Sequence, residues 1–181
     1  YKRYLAPIIF IFSTISIVAQ KSIKEKILEI ALIQEKVMIP MRDSIRLATD
    51  IYIPKTEKKV PIIFSRTPYN FNSWEDGKEQ TKTMERAYEA LKRGYAYVVQ
   101  NERGRYFSEG EWDILGVPLT DGFDAFSWLE RQEWSNGNVG LMGKSYAGTT
   151  NWEAAQNPSP HLKTIVPISG SIGVQEMFYR N

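Results

Sequence analysis

The stretch Asn138-Val-Gly-Leu-Met-Gly-Lys-Ser-Tyr-Ala-Gly148 constrains this chain more than any other. Asn138 to Met142 is a short apolar run of the kind that forms a buried strand. Gly143-Lys144-Ser145-Tyr146-Ala147 follows and matches the Gly-x-Ser-x-Gly turn, with Ala147 in place of the second Gly. A serine at the tip of so tight a turn is held in a strained backbone conformation. Its neighbours two positions away must then be nearly free of side chain. Gly143 and Ala147 meet that condition, and Gly148 leaves further room. A helix starting just after Ser145 aims its N-terminal N–H groups at the serine, where forming negative charge is stabilised. Ser145 is the candidate nucleophile.

Other readings of the stretch are weaker. Gly137, Gly143, Lys144 and Ser145 approach a phosphate-binding loop, but that pattern needs its first glycine at residue 138, which is Asn. Its strand would also have to precede the loop, whereas the apolar run lies inside it. A Ser-x-x-Lys pair is excluded because Gly148 occupies the lysine position. An ordinary strand-to-helix turn without chemistry is the plain alternative for this stretch alone.

Composition narrows the chemistry. The chain has no Cys and one His among its 181 residues. Thiol catalysis, disulfides, Cys-ligated metals and multi-histidine metal sites are therefore outside its means, and nothing calls for a cofactor. A formal net charge of +2 gives no ground for a nucleic-acid partner or for an anionic membrane. Hydrophobic content of 43% and charged content of 24% are those of a globular domain with a core. Ten Tyr and five Trp would suit an apolar pocket.

The N-terminus reads as a signal peptide over residues 1–20. Lys2 and Arg3 supply positive charge, Leu5 to Val18 is an apolar run, and Ala19-Gln20 offers a cleavage region. The run is too short to span a bilayer comfortably, although an uncleaved anchor is the alternative. The expected location is secreted or periplasmic, with no stable membrane association after cleavage.

Residues 21–34 read as a leader segment, with Ile23, Ile27, Ile30 and Ala31 at helical spacing. From Lys36 the period changes to two, and Glu35 to Met41 and Ile45 to Ile53 predict a hairpin around Arg42-Asp43-Ser44. Val60 to Ser65 predicts a strand buried on both faces. Lys78 to Arg93 predicts a helix ended by Gly94, and Tyr95 to Gln100 the next strand. Thr120 or Asp121 can cap a helix running to about Gln132. The elbow strand and its helix follow, and Leu162 to Ile168 is the last strand. Antiparallel strands followed by alternating strands and helices predict an α/β sheet with helices on both faces.

Four segments occur in an order that one family shares: Arg66-Thr-Pro-Tyr69, Glu102-Arg-Gly-Arg105, Ser108-Glu-Gly110 and Gly143-Lys-Ser-Tyr-Ala-Gly148. On these the chain resembles the Xaa-Pro dipeptidyl-peptidase-like serine hydrolases, which include cocaine esterase, α-amino-acid ester hydrolases and glutaryl acylases. The resemblance implies an α/β-hydrolase fold, incomplete here, with residues 35–181 as the N-terminal part of the catalytic domain. It implies Ser145 as nucleophile, the Tyr69 hydroxyl as one oxyanion donor and the Tyr146 backbone N–H as the other. A phenol carries a proton to donate at neutral pH, and Pro68 restricts the backbone before Tyr69. The substrate would be a small ester, an amide or a short peptide. Arg103, Arg105 and Glu109 are expected to brace their loop with ion pairs, and Lys144 to face away from the serine.

An acyl-transferring serine needs a base and an orienting carboxylate, in this fold in the order Ser, Asp or Glu, His. After Ser145 only Glu153 and Glu176 supply carboxylates, and His161 precedes the last strand instead of following a later one. His161 is therefore expected to be an ordinary loop histidine. The triad acid and base, and substrate-recognition groups, would lie beyond residue 181, leaving these residues inactive by themselves. The competing reading is a truncated or non-catalytic member of the family that serves as a binding module.

Overall fold

The computed structural model describes residues 21–71, 81–116 and 118–172. The signal-peptide reading, the start of the helix expected from Lys78, and Glu176 lie outside the described residues. The described residues form a mixed sheet of six strands in the order β1-β2-β4-β3-β5-β6. The strands are β1 (Ala31–Pro40), β2 (Arg46–Pro54), β3 (Val60–Thr67), β4 (Ala96–Asn101), β5 (Ser135–Lys144) and β6 (Leu162–Ile168). β1 and β2 pair antiparallel, as do β2 and β4, whereas β3, β4, β5 and β6 run parallel. This is the expected α/β sheet with antiparallel N-terminal strands.

Among the described residues four helices cover the two faces: α1 (Ile23–Ile30), α2 (Thr81–Lys92), α3 (Thr120–Glu130) and α4 (Tyr146–Gln156). α1 and α2 place Ile27, Met84, Ala87 and Leu91 against Tyr52, Tyr97 and Val99. On the opposite face, Ala125, Phe126 and Leu129 of α3 and Ala154 of α4 close over Ile62, Phe64, Val98 and Leu141. The rings of Phe64 and Phe126 meet edge to face, with centroids 5.2 Å apart. Alternation along β3 serves both layers, because Phe64 belongs to one core and Ile63 packs against the other.

Two boundaries differ from the sequence reading. β1 begins at Ala31, not Glu35, and its early residues pair with β2 from Ala31 opposite Pro54. An irregularity between Gln34 and Val37, with Lys36 at φ 55°, breaks the strand's period of two and hides its first turn of pairing from the pattern. The segment before it is a packed part of the fold. Ser22 and Glu25 form a reciprocal cap on α1, and Ile27 is fully buried. The second difference is α3, whose N-cap position is Leu119 with no side-chain cap bond. Asp121 does not cap the helix because its carboxylate is taken by Arg103.

Candidate active site

β5 and β6 run side by side and end together, which places the turn after β5 beside the end of β6. Ser145 occupies that turn with φ 58° and ψ −126°, a conformation that costs a side-chain-bearing residue about 1–3 kcal/mol. Three hydrogen bonds hold it there. The Ser145 N–H donates to the Ile168 carbonyl at 2.8 Å, and the Ser145 carbonyl accepts from the N–H groups of Gly148 at 2.7 Å and Thr149 at 3.1 Å. The glycine requirement is steric. A Cβ on Gly143 would lie 1.9 Å from the Ala147 carbonyl oxygen, a backbone atom that cannot give way. Gly148 meets Gly170 beyond β6 in a second close approach, since a Cβ on Gly170 would lie 2.4 Å from the Gly148 carbonyl carbon.

Ser145 and Tyr69 line one cavity of about 280 Å³, together with Thr67, Phe71, Arg86 and Lys144. Tyr69 is 56% exposed, so its ring borders the opening instead of filling the core. Its backbone is fixed at both ends of the residue: the Tyr69 N–H donates to Thr67 Oγ1 at 3.1 Å, and its carbonyl accepts from Asn101 Nδ2 at 3.0 Å. The Tyr69 and Tyr146 rings meet edge to face at 6.3 Å. Tyr69 is thus brought together with Ser145 and Tyr146, which are far from it in the chain. Lys144 is exposed, as expected, yet it borders the same cavity.

Beneath the elbow lies a polar cluster that the sequence reading missed. The Tyr146 hydroxyl donates to Glu102 Oε2 at 3.0 Å, and Glu102 is 1% exposed. Burial raises the Glu102 carboxyl above the ordinary range, opposed by the Trp112 and Tyr146 hydrogen bonds. Glu153 on α4 is pushed up to about 7, first by burial and then by the charge of Glu102, against the pull of Arg66. Burial likewise raises the Tyr146 phenol. Arg66 is itself buried and donates to Gln100 Oε1 and to the Asp121 carbonyl. The sequence signal for Glu102 is its place in the Glu102-Arg-Gly-Arg105 segment.

Those arginines divide their work. Arg103 donates from Nε and Nη2 to Asp121 at 2.9 and 2.7 Å, and from Nη1 to Asp43 at 2.9 Å. Glu109 pairs with Arg46 through the side chain and accepts its backbone N–H at 2.9 Å. Both residues therefore brace the loop with ion pairs, as expected. Arg105 makes no such pair among the described residues. Its Nε donates to the Pro68 carbonyl at 3.0 Å, and its guanidinium stacks on the Trp112 ring at 4.5 Å.

His161 immediately precedes β6, whereas Ser145 follows β5 and bonds to Ile168 at the far end of β6. The length of a seven-residue strand, about 20 Å, separates the two ends. His161 is thus a loop histidine and not a partner of Ser145. Among the described residues, no cluster of His, Cys, Asp or Glu is arranged to hold a metal ion.

Comparison with known proteins agrees with this architecture. The model of the X-Pro dipeptidyl-peptidase (S15) family matches residues 43–181. Cocaine esterase of Rhodococcus sp. (strain MB1 Bresler) is 39% identical over 140 residues, covering 77% of this chain and 24% of that protein. An α-amino acid ester hydrolase structure superimposes with a TM-score of 0.66 at 34% identity, covering 78% of this chain and 25% of the other. An aminopeptidase from a marine sediment Thaumarchaeota archaeon gives 0.65 at 33% identity, over 78% and 26%. The chain spans about a quarter of the length of each.

Proposed function

Because this chain belongs to the X-Pro dipeptidyl-peptidase family S15, a family of ester and peptide hydrolases, we propose that it carries the nucleophile and oxyanion donors of a serine hydrolase. The observation that carries the reading is the strained Ser145 at the head of α4, opening onto a cavity that it shares with Tyr69. Ser145 Oγ attacks the carbonyl carbon of an ester, an amide or a short peptide. The Tyr69 hydroxyl and the Tyr146 N–H receive the developing oxyanion. The first N–H groups of a helix have no acceptor within it, and the dipole of α4 favours negative charge at the same end. Collapse of the tetrahedral species expels the alcohol or amine and leaves an acyl-Ser145, which water then hydrolyses.

The proton from Ser145 needs a base that His161 cannot supply from the other end of the sheet. No Asp follows Ser145 within residues 1–181 and His161 is misplaced, so these residues by themselves are inactive. The reading also places the protein outside the cytoplasm, on the strength of the N-terminal charge and apolar run. Among the described residues no helix is long and apolar enough to cross a membrane.

The test is Ser145→Ala in the full-length protein. The variant should fold as the wild type does, hydrolyse no activated ester, and take no label from a phosphonate serine reagent. Wild-type turnover by Ser145→Ala would overturn the assignment.

A further inference from the structure

Tyr146 is tied down by its side chain as well as by its place in α4. Its hydroxyl donates to Glu102 Oε2 at 3.0 Å and accepts the Leu115 N–H at 2.9 Å. Glu102 Oε2 also accepts the Trp112 Nε1–H at 3.0 Å. Trp112 is stacked on Arg105, which in turn donates to the carbonyl of Pro68, the residue before Tyr69. Asn101, next to Glu102, donates to the carbonyls of Thr67 and Tyr69. The segment 101–105 therefore reaches both sides of the site, Tyr146 through Glu102 and the Tyr69 loop through Asn101 and Arg105.

The energetics of Glu102 mark it as more than a packing residue. It is a buried carboxylate, and its Oε1 has no hydrogen-bond partner among the described residues. Stability alone disfavours such a group, since an apolar side chain of similar shape would avoid the cost of desolvation. A group kept in spite of that cost calls for an explanation.

We propose that Glu102 is a positioning residue for the oxyanion site: by holding the Tyr146 hydroxyl it orients the peptide N–H that follows Ser145. That peptide is then held from both sides, because the Ser145 carbonyl accepts from the N–H groups of Gly148 and Thr149 and the Tyr146 hydroxyl is bound to Glu102. An oxyanion donor works only when its hydrogen is aimed at the oxygen of the transition state. A small rotation of the peptide therefore weakens the transition-state bond much more than substrate binding. The inference rests on the reading of Ser145 as nucleophile and Tyr146 as donor.

The experiment uses the full-length enzyme and an activated ester, with active sites counted by phosphonate titration. Tyr146→Phe keeps the ring and removes the clamp; kcat per active site should fall about tenfold with KM within about twofold. Glu102→Leu should show the same loss, and the double variant should lose no more than about twofold beyond either, as expected of two groups acting through one bond. Glu102→Gln retains an acceptor oxygen and should stay within about threefold of wild type. If Glu102→Leu does not fold, Tyr146→Phe and Glu102→Gln decide the matter. Wild-type kcat in Tyr146→Phe, or losses that multiply in the double variant, overturn the clamp while Ser145→Ala remains inactive. Turnover by Ser145→Ala overturns the nucleophile reading, and this inference with it.

Discussion

The backbone N–H of Ser145 donates to the carbonyl of Ile168, 2.8 Å away at the end of the neighbouring strand. The candidate nucleophile is therefore held by β6 as much as by its own turn. The first turn of α4 can approach that strand end only because Gly148 and Gly170 face each other without side chains.

Gly170→Ala tests this arrangement. The new Cβ would lie 2.4 Å from the Gly148 carbonyl carbon and 2.7 Å from the Thr149 nitrogen, so α4 must shift. The expected cost is about 1–3 kcal/mol of stability, the usual range for overpacking. It should show as a lower urea midpoint, together with reduced phosphonate labelling of Ser145. A midpoint and labelling rate equal to wild type would mean that the contact is not tight in solution.

Tyr69→Phe separates an oxyanion donor from a rim aromatic. Loss of the hydroxyl should lower kcat roughly a hundred- to a thousandfold, about 2.7–4 kcal/mol of transition-state stabilisation. KM should move little, because the bond strengthens only as charge develops. The loop itself is held by Thr67 and Asn101 and should not change. Steady-state kinetics on an activated ester, with acylation limiting, provide the check; kcat within threefold of wild type would remove Tyr69 from the mechanism.

Arg103→Ala should be among the more damaging changes outside the elbow. It strips a bidentate partner from Asp121, which is 1% exposed, and also releases Asp43. Breaking a buried pair from one side costs about 3–5 kcal/mol. Arg103→Lys should recover only part of this, since an ammonium cannot reproduce the planar fork that spans Asp121 and Asp43. Chemical denaturation of both variants provides the comparison.

Glu153 should impose a pH dependence on stability. Its carboxyl is raised to about 7 in the folded protein, above its ordinary value of 4.5, so the folded state holds the proton more tightly than the unfolded one. Its contribution is complete below about pH 4.5 and is lost as pH rises through about 7. Allowing for its partial exposure, the loss amounts to about 1–3 kcal/mol. Glu153→Gln should therefore be close to wild type at pH 5 and more stable than wild type at pH 8. Parallel unfolding curves for the two proteins at both pH values would refute the assignment.

The elbow, the order of strands and helices, and Ser145 as a candidate nucleophile were legible in the chain, whereas Tyr69 and Tyr146 became candidates through the family resemblance carried by four ordered segments. The elbow and the elements depend on residues close together: glycine and alanine two positions from a serine, and apolar spacing within one element. The order in which this fold presents Ser, acid and His was also enough to judge His161, because it precedes β6 instead of following a later strand.

Tertiary structure decided what depends on pairings between distant segments. Asp121 looked like a helix cap in its own neighbourhood, and became the buried partner of Arg103 only when the loop after β4 folded over α3. The irregularity at Lys36 is set by pairing with β2, so the strand's true start at Ala31 was masked by a helical spacing that α1 also satisfies. Glu102 reads in the chain as one more charge in a polar loop. Its burial, its hold on Tyr146 and, among the described residues, its unpartnered Oε1 arise only once the loop after β4 meets the start of α4. Sequence determines which groups a chain can offer through short-range sterics and periodicity. The meeting of those groups depends on sheet order and helix packing, for which local spacing carries no signal.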